Sequence, residues 1–160
     1  MEEIILTPYS RDLWWRRENE RRVWMESPKV RRREKKVKKF GNVEVDIELY
    51  PALTILNEYG ITTEYSCSGV SVLDEPEDHS LYAYVTLPKT TASDHFIKYL
   101  IQRMGRRMIV TEEPKRQRYD ISSFFIKHNR SFCLLLYYYS LEYIQLILTY
   151  NRNESKVELN

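Results

Sequence analysis

Apolar positions follow two different periods along this chain. From residue 11 to residue 26 no glycine or proline intervenes. Ser10 stands where an N-cap belongs and Asp12 lies near the positive helix end, so a helix is predicted. Leu13, Trp14, Val23, Trp24 and Met25 are placed on its partial apolar face, with Arg16, Arg17, Arg21 and Arg22 on another. A second helix is marked by Leu49, Leu53 and Leu56, with Pro51 suited to its first turn and Gly60 to its end. Its start falls near Leu49 or Tyr50, or at Asp46 if a kinked turn begins earlier. Residues 61–69 then open on a β-branched run and close on Gly69, which predicts a buried strand turning at Ser66-Cys67-Ser68-Gly69. Residues 70–73 continue it, residues 74–79 form a polar loop and residues 80–87 alternate, so a hairpin is expected.

Phe96, Ile97, Leu100, Ile101 and Met104 share one side of a helix over residues 91–104 that stops at Gly105. Residues 107–111, 118–127 and 131–138 are predicted as strands, with turns at 112–116 and 128–130. Ser140 is assigned the cap of a last helix over 141–150, although Tyr, Ile, Leu and Thr suit an extended segment equally well. The tail from Asn151 is polar and expected to fray. The pattern is α+β: a single domain with an antiparallel or mixed sheet, packed helices and a basic N-terminal helical limb. The limb covers residues 1–40, the body 41–150 and the tail 151–160.

With 160 residues and 42% hydrophobic composition, one sizeable core is affordable in a soluble domain. Two distant cysteines, Cys67 and Cys133, suggest neither a disulfide framework nor a zinc site. The first eight residues carry acidic side chains rather than a basic leader pattern, and no apolar run reaches about 18 residues. A reducing, cytoplasmic setting away from membranes is expected.

The net charge of +2 conceals an asymmetry. Residues 11–40 hold thirteen Lys or Arg against five Asp or Glu, net +8, whereas residues 41–160 hold twelve against sixteen, net −4. The run VRRREKKVKK supplies Arg31, Arg32, Arg33, Lys35, Lys36, Lys38 and Lys39, all candidates for nucleic-acid contact. Phosphates demand cations, and the interleaved Trp and Arg upstream suit exposed bases, so RNA is the expected polyanion. The competing reading is a solvated helix whose tryptophans dock on the core.

Two of only four glycines bracket residues 60–69, where positive φ or close backbone approach is permitted. Thr62, Thr63, Ser66, Ser68 and Gly69 are the candidate ligand-binding residues, although the hydroxyls could equally satisfy their own turn. Cys67 is a candidate nucleophile if a cation or helix N-terminus lies beside it, and otherwise a small structural thiol. Asp46 could contact a ligand or cap a helix. Glu64 shares a strand face with Thr62 and Ser66, so it is a candidate acid or base if that face lines a pocket. His79, His95 and His128 show no metal-ligand spacing. Tyr137, Tyr138 and Tyr139 are read as sheet packing rather than a stacking platform.

The segments Gly41-Asn42-Val43-Glu44-Val45-Asp46, Leu53 with Leu56-Asn57, Thr62-Thr63 and Ser66-Cys67-Ser68-Gly69 resemble the N-terminal region of the wybutosine-pathway tRNA methyltransferases. The specific part covers about 30 residues and the layout roughly residues 35–150. The resemblance implies an α+β fold that binds S-adenosylmethionine and a modified guanosine of the tRNA anticodon loop. Val70-Ser71 stands where the family carries arginine, and its Trp-His elements have no counterpart here. The expectation is therefore an RNA-associated, methyltransferase-like protein with altered catalysis. Its alternative is a non-catalytic module for a small nucleotide-like ligand or a protein partner.

Overall fold

The computed structural model describes residues 2–28, 34–71 and 80–158. Helices α1 (Arg11–Glu26), α2 (Tyr50–Glu58), α3 (Thr91–Met104) and α4 (Asn129–Glu158) surround strands β1 (Ile4–Ile5), β2 (Val37–Phe40), β3 (Val43–Asp46), β4 (Ser66–Cys67), β5 (Tyr84–Pro88), β6 (Met108–Glu113) and β7 (Arg118–Ser123). Five strands form an antiparallel sheet in the order β1-β6-β7-β5-β4, and β2 and β3 form a separate hairpin. The fold is α+β, with the sheet wholly antiparallel.

Alternation places Val85, Leu87, Val110, Tyr119 and Ile121 on one sheet face. There they meet Leu53 and Leu56 of α2, Phe96, Ile97 and Leu100 of α3, and Phe132 and Leu136 of α4 in one core. The opposite face is polar: Thr86 donates to Asp120 across it at 2.6 Å. Local chemistry accounts for the helix ends. Thr90 and Ser93 form a reciprocal capping box at the start of α3. At the end of α2, Gly60 has φ +86°, its N–H donates to Asn57 O, and the Ile61 N–H donates to Leu56 O. Only glycine takes that left-handed turn at little cost.

α1 begins as expected, with the Leu13 N–H donating to Ser10 Oγ. It docks through part of the expected face, Trp14 and Trp24, joined by Arg17 from the basic one. Trp14 packs edge-on against Phe124, and Tyr9 stacks on the same ring at 4.0 Å. Arg17 lies 3.9 Å over the Tyr82 ring and donates from Nε to Phe124 O at 2.9 Å. Val23 and Met25, assigned to the apolar face, are exposed, because the docked stripe steps through residues 14, 17 and 24 instead.

Several expected elements differ. Ile61 is buried in the core, but residues 62–65 pair only irregularly with β5 and form a largely exposed margin of the sheet rather than a buried strand; Ser66 and Cys67 alone are regular. The expected strand over 118–127 ends at Ser123 and gives way to a single 3₁₀ turn, Ile126–His128. Residues 131–138 are helical, not extended: α4 runs 30 residues, carrying Tyr137, Tyr138 and Tyr139 as well. Ser140 is a buried mid-helix residue rather than a cap, and the helix continues past Asn151. The hairpin of β2 and β3, turning at Gly41 with φ +61°, was not anticipated, and it joins the basic limb to the body in one element.

Candidate functional site

The corner expected to hold chemistry is occupied by the protein itself. Gly69 has φ +78°, and a Cβ there would lie 2.3 Å from Asn129 Nδ2 and 2.6 Å from the Ala83 backbone nitrogen. Asn129, the buried first residue of α4, fills the space. Its Oδ1 accepts from the Ala83 N–H at 2.9 Å and from Ser123 Oγ at 2.5 Å, while Nδ2 donates to Val70 O at 2.9 Å and Leu81 O at 2.8 Å. All four bonding positions of the amide are used, which pins the last helix to two strand ends and the corner. Gly69 therefore serves close packing.

Beside this pin lies a polar cluster that the sequence left in pieces. Asp46 Oδ2 accepts from the Ser68 backbone N–H at 2.7 Å, from Ser68 Oγ at 2.9 Å and from Lys35 Nζ at 3.3 Å. Burial works against the ionised carboxylate, but the Ser68 N–H, the Lys35 ammonium and the Ser68 hydroxyl outweigh it, and the Asp46 pKa falls below its ordinary value. Asp46 thus ties the hairpin to the corner and caps no helix; the α2 cap position is Leu49, without a side-chain bond. Lys35 Nζ also lies 3.8 Å from Cys67 Sγ, and the Gly69 N–H lies 3.4 Å from the same sulfur. A cation beside Cys67, not identifiable from sequence, is therefore present. Cys133, by contrast, is buried, and burial pushes its thiol up to about 12.

The other candidates separate. Thr63 accepts from Asn57 Nδ2 at 2.8 Å through Oγ1 and donates its N–H to Asn57 Oδ1 at 3.2 Å, so it fastens α2 to the sheet margin. Thr62 and Glu64 are exposed, Ser66 is half-buried in β4, and Ser68 is buried against Asp46. The Glu64 backbone N–H donates to Thr86 O at 2.8 Å, which holds the residue on the sheet margin. Of the basic run, Arg31, Arg32 and Arg33 lie outside the described residues. Lys36, Lys38 and Lys39 are exposed on the hairpin, with Lys38 Nζ 4.2 Å over the Tyr50 ring. Lys35 is the correction: its side chain is 2% exposed and committed to Asp46, out of reach of a phosphate.

Next to the corner, α1 and the start of α4 enclose a cleft of about 320 Å³ lined by Trp24, Glu20, Val70, Ile126, Lys127 and Arg130 among others. Its walls are mostly apolar, with two cationic side chains at the margin. Glu20 closes one end: its carboxylate accepts from the Ile126 N–H at 2.6 Å and the Lys127 N–H at 3.2 Å, satisfying donors that the turn leaves open. His128 ends this turn with its ring edge-on to Phe125. Burial, then Lys127 and Arg107, lower its pKa and favour the neutral ring. Trp24 was visible in the sequence as a residue of the basic limb, but the other walls of its cleft come from around residue 70 and residues 126–130.

On the polar sheet face, Glu3, Glu113 and Asp120 bring three carboxylates within 4.8 Å of one another. Arg118 joins them, 3.2 Å from Glu113 and 3.8 Å from Asp120, so the group is an ion network with its own cation. His95 is exposed on α3, and His79 lies outside the described residues. Comparison of the chain with protein-family models, with curated proteins and with solved structures gives no significant match.

Proposed function

We propose that this protein is an RNA-associated binding module in which the cleft between α1 and α4 receives one nucleotide-like group. The observation that carries the proposal is the cleft: an apolar slot with an indole in its wall and two cations at its margin, next to a corner that is fully packed. Its 320 Å³ is at the small end of ligand sites, about the size for one base with its ribose. A base gains about 1–3 kcal/mol by stacking on an aromatic side chain, and Lys127 and Arg130 supply charge for the adjoining phosphates. Lys36, Lys38 and Lys39 on the hairpin extend phosphate contact along the strand. Titration of single-stranded RNA into the protein, followed by tryptophan fluorescence, tests this. Saturable binding is expected, weakened about 5- to 100-fold in Trp24→Ala and steeply salt-dependent. Equal affinity of Trp24→Ala and the parent protein would sink the proposal.

One observation supports a second reading, an S-adenosylmethionine-dependent RNA methyltransferase: Lys35 Nζ and the Gly69 N–H both face Cys67 Sγ. A cation and a backbone N–H beside the sulfur are the kind of surroundings in which a cysteine serves as a nucleophile. Calorimetric titration with S-adenosylmethionine, with and without tRNA, distinguishes the readings. Binding abolished by Cys67→Ser or Lys35→Met in a folded protein supports the enzyme, and no heat in either condition removes the cofactor.

A further inference from the structure

α4 carries two apolar stripes, and the fold uses one. Phe132, Cys133, Leu136, Ser140 and Ile144 face inward and are buried. On the opposite side Leu134, Tyr138, Leu141, Gln145, Leu148 and Arg152 follow one another at alternating steps of four and three residues, the spacing of a coiled-coil seam. Leu134 is 70% exposed, Tyr138 60% and Leu148 37%. From residue 145 through residue 156 every side chain is exposed, so the helix runs more than three turns beyond its own domain. A helix of that length has little stability in water without a neighbour to pack on.

We propose that a second copy of this chain covers that seam, giving a two-fold dimer built helix on helix. The seam from Leu134 to Arg152 is about 27 Å long and one helix diameter wide. Covering it removes on the order of 500 Å² from each copy, roughly 1,000 Å² in all, the lower limit for a specific interface. The dimer is therefore a weak one that dissociates on dilution. A copy of the same helix is the occupant that fits. It brings the same heptad spacing and length, and its Gln145 amide, both donor and acceptor, can answer the polar position that lies between Leu141 and Leu148. α4 is also long and apolar enough for a bilayer by composition alone, but its inward stripe lies in the core and is not free to face lipid.

Sedimentation equilibrium of the full chain from about 1 to about 200 µM is the test. The mass is expected to rise from one copy to two with concentration, since an interface of roughly 1,000 Å² holds weakly. The double substitution Leu134→Glu, Leu148→Glu changes only exposed positions. It is expected to weaken dimerisation at least 50-fold, with the cooperative unfolding of the domain in denaturant retained. Gln145→Leu gives a gain that misfolding cannot imitate: about tenfold tighter association, because a polar seam position costs stability. A single-copy mass at every concentration overturns the proposal and assigns the seam to another partner. A two-copy mass that survives the double substitution, or is unmoved by Gln145→Leu, overturns it as well.

Discussion

The Ser66–Gly69 corner and the Trp24 cleft lie side by side, sharing Val70 and Asn129, yet they are built on opposite terms. At the corner every bonding position of Asn129 is taken and Gly69 leaves no room for a methyl group. At the cleft Trp24, Lys127 and Arg130 line a volume of about 320 Å³. A glycine with positive φ marks a close approach of backbone to something, and here that something is the protein's own asparagine. The small, hydroxyl-rich corner is the frame that holds the cleft's wall in place.

The comparison breaks first at Asn129. Asn129→Leu leaves the Ala83 N–H, the Ser123 hydroxyl and two carbonyls without their partner, and a loss of about 3–5 kcal/mol is expected in denaturant unfolding. Gly69→Ala is expected to cost about 3 kcal/mol, since strain at positive φ adds to the clash. If either variant keeps its stability and loses RNA affinity, the corner is a ligand site and the contrast fails.

Lys35→Met comes next. It strands the Asp46 carboxylate in a largely buried position, for about 3 kcal/mol. The pH dependence has a definite sign. The folded pKa of Asp46 is depressed, so its contribution is present above the unfolded value near 3.9 and is lost as pH falls through the lower, folded pKa. Asp46→Asn should flatten stability against pH on the acid side, and an unchanged acid limb would show the ion pair to be unimportant.

Trp24→Ala should do the converse of Asn129→Leu. It should weaken RNA binding as stated while costing about 1 kcal/mol of stability or less, since the residue is only half-buried in a surface helix. The smallest effect belongs to the hairpin. Neutralising Lys36 or Lys39 should lower the salt slope of RNA binding by about 0.7 to 0.9 each and leave folding unchanged.

The first three helices were legible because their punctuation is local: Ser10, Gly60 and Gly105 act within one turn. The hairpin carried its own marks, alternation on both sides of Gly41-Asn42, which its lysines obscured. α4 was illegible for a reason that bears on its role. An inner stripe and an outer seam together leave almost no polar face over residues 132–148, so the amphipathic period vanishes and an aromatic run reads as a strand. Among the site residues, Lys35, Asp46, Cys67 and Ser68 were visible as types, but their meeting depends on the hairpin. The cleft depends on contacts more than 100 residues apart, which no local pattern encodes.

Those long separations set an order of events. Arg17 bonds to Phe124, Glu20 to Ile126 and Lys127, and Thr7 to Val110, each across 103 to 107 residues. During synthesis at about 5–20 residues per second, the N-terminal helix must wait roughly 5–20 s for its docking partners to be made. The cleft consequently cannot form until residues 126–130 have been made, and a chain stopped before the final helix has the tryptophan of α1 but not the opposite wall.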